Sequence, residues 1–426
     1  MKRNSSSAKP RSGFVAALDI GTTKICCLIA KPSVERGPYG ASGPRVVGIG
    51  THQAQGLRNG AIIDMDAAEH AIRAAVERAE LMAGDNIERV VVNVSAGKPK
   101  SKLVACDVSI GGHGITEYDI HRLMDPSSLQ VGMAEDREII HKIPVGFTVD
   151  GNRGVRDPIG MFGETLGVNV HTVTAAIAPL RNLRAVVERC HLHVDSMVVS
   201  PYASALSCLV EDEKKMGAAC IDIGGGTTGI ALFFDGELVH TEIIPVGGNH
   251  ITNDIARGLS TPFGHAERMK NLYGTCLASA SDDGEVIQVP LVGEDDETGT
   301  VQVPRSMLVG IIRPRAEEIL DLIQERLEKA GFSQLAGRVV LTGGTSQLTG
   351  LGEMASQAFS HHVRMASPRP TEGLAEAVAG PAFSAVSGLL QYAVSEAEEP
   401  LESVINMAQP PNGWLGRIGH WLRENF

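Results

Sequence analysis

Ala17-Leu18-Asp19-Ile20-Gly21-Thr22-Thr23 and Cys220-Ile221-Asp222-Ile223-Gly224-Gly225-Gly226-Thr227-Thr228 are two versions of one phrase. Each runs an apolar strand into an aspartate, then a Gly/Thr turn, then a second apolar strand (residues 25–30 and 230–234). This is an internal repeat, and it predicts two related halves rather than one continuous domain. A Gly/Thr turn aims backbone N–H groups and hydroxyls at one point, a nest suited to phosphate oxygens. Glycine at Gly21, Gly224, Gly225 and Gly226 lets backbone approach closely. Asp19 and Asp222 would repel phosphate, so they make sense only with a cation between. Mg²⁺ keeps its waters and bridges carboxylates to phosphates. Two facing hairpins, Asp19 to Lys24 and Asp222 to Thr228, are therefore expected to grip a nucleoside triphosphate with Mg²⁺.

Competing phosphate motifs fail. Gly224-x-Gly226-x-x-Gly229 fits the dinucleotide fingerprint, but that fingerprint must open a helix. Here Ile230-Ala231-Leu232-Phe233-Phe234 follows, a strand pattern. No G-x-x-x-x-G-K-[ST] occurs.

Composition narrows the classes further. The 426 residues carry a formal charge of −12, from 50 acidic and 38 basic side chains, which argues against nucleic acid as a partner. Only 4% are aromatic, so the core is expected to be aliphatic. Seven scattered cysteines (26, 27, 106, 190, 208, 220, 276) form no C-x-x-C and no zinc spacing, and read as reduced buried thiols in a cytoplasm. Fourteen histidines include no H-E-x-x-H, and His191 and His193 read as structural. No run of 18 apolar residues exists. Residues 1–13 are basic and Ser-rich without an apolar core, a disordered arm rather than a secretory signal.

Along the chain, strands and helices alternate, which predicts α/β layers. Residues 66–83 have helical spacing, with Ala67, Ala68, Ala71, Ile72, Ala75 and Ala79 opposite Glu69, Arg73, Glu77 and Glu80. Residues 170–178 and 194–200 read as strands of the first core, 180–190 as a helix, and 311–330 as a long amphipathic helix. The expected division is a first core at 14–95 and 168–198 (also receiving 361–392), an inserted subdomain at 96–167, and a second core at 199–250 and 311–360. Residues 251–310 form a smaller subdomain of the second lobe, and 393–412 an acidic, Pro-containing linker.

The last fourteen residues, 413–426, place Trp414, Leu415, Ile418, Trp421 and Leu422 on one helical face, with Arg417 and Arg423 elsewhere on the turn. Both tryptophans of the chain lie here. The segment is too short to span a bilayer but suits lying in its surface. Burying its apolar groups is worth on the order of 8–10 kcal/mol gross. Helix ordering offsets much of this, so firm attachment needs several copies together.

The paired hairpins, with Val339-Val340-Leu341-Thr342-Gly343-Gly344, resemble the actin/sugar-kinase/DnaK-chaperone ATPase superfamily. The resemblance implies a two-lobed actin-like fold with duplicated βββαβα cores. It also implies ATP held at its phosphates by the hairpins and at its adenosine by Gly343-Gly344. Ala266-Glu267-Arg268-Met269-Lys270 is similar to a family segment, which carries ribose and adenine contacts to Glu267 and Lys270. More narrowly, Asn253-Asp254-Ile255-Ala256 and Trp414…Trp421-Leu422-Arg423 join these motifs in resembling the bacterial cell-division FtsA family over nearly the whole length. That resemblance implies a filament of copies of this chain at the cytoplasmic membrane. The filament would anchor the ring of the tubulin-like GTPase FtsZ through its C-terminal peptide and recruit other division proteins. Arg315, read at a helix start near the smaller subdomain, is the position implied to meet that acidic peptide. Where many relatives of the superfamily carry a carboxylate or Gln before a proline, this chain has Ser200 before Pro201, which implies weak hydrolysis. The alternatives are a small-metabolite or sugar kinase, a DnaK-type chaperone and a pilus-assembly relative. A kinase would leave the C-terminal segment idle, a chaperone would need a peptide-binding module, and the pilus relative should lack the segment.

Overall fold

The computed structural model describes residues 13–32, 44–124, 134–294, 299–332 and 337–398. The expected arm before residue 13, the linker beyond residue 398 and the amphipathic segment 413–426 lie outside the described residues.

The opening repeat folds as a hairpin of β1 (Val15–Ile20) and β2 (Lys24–Lys31), extended by β3 (Arg45–Gln53). A two-residue hairpin, β4 (Leu57–Arg58) and β5 (Ala61–Ile62), leads to helix Met65–Ala83. The Asp64 carboxylate starts that helix by accepting the N–H groups of Asp66 and Ala67, and Gly84 ends it in the left-handed region. Its buried stripe is Ala68, Ala71, Ile72, Ala75, Val76 and Ala79, small enough for the helix to lie close on the sheet. β6 (Arg89–Val94) then runs parallel to β1.

The inserted subdomain follows. β7 (Lys100–Ser109), β8 (Arg137–Val149), β9 (Asn152–Val155) and β10 (Thr165–Ala176) form an antiparallel sheet in the order β7-β10-β8-β9, with helix Glu117–Leu123. Phe147, Val149, Leu166, Val168 and Leu123 fill its own core. Of residues 170–178, expected as a strand of the first core, 170–176 belong instead to β10, which pairs with β7 and β8, and the last two begin a helix. An apolar run announces burial but not the sheet that buries it. Helix Ile177–Arg189 and β11 (His193–Val199) complete the first lobe, whose sheet runs β11-β6-β1-β2-β3. Helix Ser200–Cys208 lies between the lobes, with Ala203 against the first sheet and Ala205 and Cys208 against the second.

The second lobe repeats that order. β12 (Ala218–Ile223), β13 (Thr228–Phe234) and β14 (Glu237–Ile244) are antiparallel neighbours, and β17 (Arg338–Thr342) and β18 (Val363–Met365) add in parallel, giving β14-β13-β12-β17-β18. Between β14 and β17 lie helices Gly248–Gly258 and Phe263–Tyr273, the hairpin β15 (Val286–Pro290) and β16 (Thr300–Pro304), and helix Arg305–Lys329. That last helix starts before the expected residue 311 and carries Pro314 inside, so Arg315 is interior rather than at a helix start.

After β18 the chain crosses back. Helix Ser384–Glu398 packs Val386, Leu389, Leu390 and Ala393 against Ala17, Leu28 and Val91 of the first sheet. Two differences from expectation follow. β18, inside the stretch 361–392 assigned to the first core, stays with the second, and the helix runs through the first residues of the expected linker. All seven cysteines are free thiols, and burial pushes Cys26 up to about 12.

Candidate functional site

The two repeats meet at their turns. In the first, the Gly21 N–H donates to the Lys24 carbonyl at 3.1 Å; in the second, the Gly224 N–H donates to the Thr227 carbonyl at 2.9 Å. A β-carbon on Gly226 would lie 2.5 Å from the Thr22 Oγ1, and one on Gly225 would run into Thr23. These glycines let the lobes touch, turn against turn. Beside this contact opens a polar cavity of about 600 Å³, ample for a small ligand.

Asp19 and Asp222, each one residue before the end of its strand, line the cavity. Burial pushes Asp19 up to about 6; Lys24 and Asn93 oppose the rise, and Asp222 adds to it. Burial also raises Asp222, against a hydrogen bond from Ser204 and the charge of Lys24. Two enclosed carboxylates that disfavour each other's charge, at the edge of a polar cavity, form a donor set that a hydrated cation would relieve. Among the described residues no three His, Cys, Asp or Glu side chains converge on a direct metal site, so a cation here would be held mostly through water.

The cavity also gathers Gly21, Thr22, Thr23, Lys24, Gly224, Gly225, Gly226, Thr227, Glu267, Lys270, Gly343 and Gly344. Gly343 has φ +91°, and a β-carbon there would meet the Asp222 carboxylate and lie 2.5 Å from the Ile223 carbonyl oxygen. No other residue could stand there. Glu267 and Lys270 do not form a solvated helix face. The Lys270 ammonium is buried, 2.7 Å from Glu267 Oε2 and 2.9 Å from Thr252 Oγ1. Burial opposes the charge on Glu267, but Lys270, Thr252 and Asn271 together hold it below the ordinary carboxylate value.

One residue expected at the cavity lies elsewhere, and Arg315, read as a partner contact, lies apart from it. Thr228 begins β13 and points inward, its hydroxyl donating to the Val246 carbonyl at 2.8 Å, because side chains alternate faces along a strand. Arg315 sits away from the cavity with its guanidinium on Asp254, at 2.6 and 3.2 Å, and on Glu318.

The sequence reading missed Asn93 and Ser95. Asn93 Oδ1 accepts the Ile20 N–H at 2.7 Å, and its amide donates to Ser200 Oγ at 3.2 Å. Ser95 and Ser200 hydroxyls lie 2.6 Å apart. Ser200 thus lines the cavity among hydroxyls and an amide. A lone amide in Val-Val-Val-Asn-Val was the available signal, since a polar group in a buried strand needs a partner.

Sequence profiles agree with this architecture. One described as "Cell division protein FtsA" matches residues 219–388, and one described as "SHS2 domain inserted in FTSA" matches residues 96–174. The cell division protein FtsA of Rhizobium meliloti (strain 1021) is 43% identical over 423 residues, covering 98% of this chain and 96% of that one. The chain belongs to the FtsA family. Solved structures share the FtsA-type two-lobed frame at low identity. The PilM-PilN type IV pilus biogenesis complex has a TM-score of 0.63 at 17% identity, covering 92% of this chain and 100% of that one. MreB5 of Spiroplasma citri bound to ADP gives 0.52 at 16%, covering 91% and 98%. The MamK double helical filament gives 0.50 at 13%, covering 91% and 99%. These are likenesses of an actin-like fold, and the family membership rests on the FtsA relative.

Proposed function

We propose that this FtsA-family chain is a cell-division protein that binds ATP with Mg²⁺ between its lobes and assembles into an actin-like filament. The filament anchors the FtsZ ring to the cytoplasmic face of the cell membrane and recruits later division proteins. The observation that carries the reading is the pair of enclosed, mutually repelling carboxylates, Asp19 and Asp222, brought to one polar cavity by repeated hairpins. Asp19 and Asp222 would hold Mg²⁺ through its waters. Gly21, Thr22, Thr23, Lys24 and Gly224 to Thr227 would take the phosphates, and Gly343, Gly344, Glu267 and Lys270 the adenosine side. The cation would supply charge neutralisation between carboxylates and phosphates. Support for nucleotide and filament comes from MreB5, solved with ADP, and MamK, solved as a double helical filament.

Hydrolysis is expected to be slow. Ser200 and Ser95 offer hydroxyls where a carboxylate would be needed to take a proton near neutral pH. Single-turnover hydrolysis faster than about one per minute would contradict this. Among the described residues no helix is long and apolar enough to cross a membrane. Attachment is assigned to residues 413–426 on their amphipathic sequence, through Trp414, Leu415, Ile418, Trp421 and Leu422, with Arg417 and Arg423 suited to lipid headgroups. For the FtsZ C-terminal peptide, Arg315 would exchange Asp254 for a peptide carboxylate.

Electron microscopy on a lipid monolayer with ATP and Mg²⁺ tests the reading. The full chain is expected to form filaments on the lipid, and a chain ending at Asn412 to leave it bare. Equal decoration by both would reject the membrane role, and no ordered assembly in either would reject the polymer.

A further inference from the structure

Lys24 closes the first hairpin turn, and its ammonium reaches the stretch of chain that enters the C-terminal helix. Its Nζ donates to the carbonyl of Ala382 and lies 3.6 Å from the centroid of the Phe383 ring. Ala382 and Ala385 line the same cavity as Asp19 and Asp222. The turn Pro381–Phe383 is the root of helix Ser384–Glu398, after which the chain runs on to Trp414 and Trp421. The second lobe holds that root as well. The Gly343 N–H donates to the Pro381 carbonyl at 3.2 Å, and the Thr342 and Ser384 hydroxyls lie 2.6 Å apart. The root of the C-terminal helix is thus tied to both halves of the cleft, and on the first-lobe side the tie is a cation that an anionic ligand would attract.

We propose that Lys24 is a two-position residue. In one position, the arrangement seen here, it latches the Pro381–Phe383 turn, and in the other it engages phosphate oxygens and releases that turn, so occupancy of the cleft is passed to the helix that leads to the C-terminal segment. The inference rests on the nucleotide reading above. Its consequence is linkage: a latch that competes with the ligand lowers ligand affinity, and weakening the latch raises it.

Hydrogen exchange on the full chain, with and without the non-hydrolysable analogue AMPPNP and Mg²⁺, tests this alongside AMPPNP titration. In the wild type, added nucleotide is expected to slow exchange at residues 21–24 and 224–228 and to speed it at 380–386. Lys24→Gln is expected to exchange fast at 380–386 without nucleotide, a readout independent of whether that variant still binds. Phe383→Leu removes the aromatic seat and leaves Lys24 in place. It is expected to bind AMPPNP about three- to tenfold more tightly, the range of a partly desolvated cation–π contact. A purely structural role for Phe383 predicts weaker or unchanged binding. Protection at the hairpins with no change at 380–386, or unchanged or weaker binding by Phe383→Leu, overturns the latch alone. No protection at the hairpins overturns the nucleotide reading and the latch with it.

Discussion

At the scale of single residues the cleft is dominated by Asp19, and its titration has a definite sign. An acid whose folded pKa lies above its unfolded value, here about 6 against 3.8, stabilises the fold below the lower value and loses that stability as pH rises through the higher one. At pH 7.5 the charged form therefore costs on the order of 3 kcal/mol when nothing balances it. His141 and His171, lowered by burial to about 4 and about 3, act oppositely and withhold stability as pH falls below 6.5. The wild-type profile is a sum of these, so the difference between variant and wild type is the useful quantity. Without nucleotide or Mg²⁺, Asp19→Asn is expected to be more stable than wild type at pH 7.5 by up to about 3 kcal/mol, with the gap closing toward pH 4. Urea titration across that range measures it; a gap that widens on acidification would contradict the assignment. The two aspartates were readable because the phrase around them is written twice. Asn93 signalled only that a buried amide needs partners; which partners, Ile20 and Ser200, was not legible, because they are distant in sequence and come together only in the folded lobe.

Elements were legible where period and capping agreed, as in helix Met65–Ala83 with Asp64 before it and Gly84 after it. They were misjudged where tertiary packing overrides a local signal. Pro314 argues for a helix beginning near it, yet helix Arg305–Lys329 starts earlier because Leu308, Val309 and Ile312 are buried and hold its first turns. Helix Ser384–Glu398 depends on a contact no local pattern could reveal. A β-carbon on Gly388 would run into the carbonyl of Ala203, so this helix and Ser200–Cys208 cross almost backbone to backbone. Gly388→Leu is expected to lower stability by about 1–3 kcal/mol, the range for overpacking, or more if the helix lifts off. Equilibrium denaturation gives the value. The same variant is expected to perturb the cleft, since Ala385, one turn earlier, lines it. A stability equal to wild type would show that the helix has room to shift.

Across the whole molecule, the repeat that decides the fold also brings two aspartates to one polar cavity. Both sheets share one strand order, and the turns that close their first hairpins are in contact through Thr22, Thr23, Gly225 and Gly226. The duplication was legible from sequence; the contact was not, because it exists only between two folded lobes. A cation shared by Asp19 and Asp222 would join the lobes and remove the repulsion between them, so nucleotide and Mg²⁺ should stabilise together rather than additively. At a hundredfold excess over Kd, ATP with Mg²⁺ is expected to raise the unfolding free energy by about 2.7 kcal/mol. Most of that rise should vanish in EDTA, where ATP would bring its own negative charge to two carboxylates. With both aspartates replaced by asparagine, whatever effect ATP retains is expected to be the same in Mg²⁺ and in EDTA, since the groups that need the cation are gone. Thermal unfolding of the wild type and the double variant under the four conditions separates these outcomes. Equal stabilisation of the wild type in Mg²⁺ and in EDTA would mean that the paired carboxylates do not share a cation, and the phosphate grip would then have to rest on the turns and Lys24 alone.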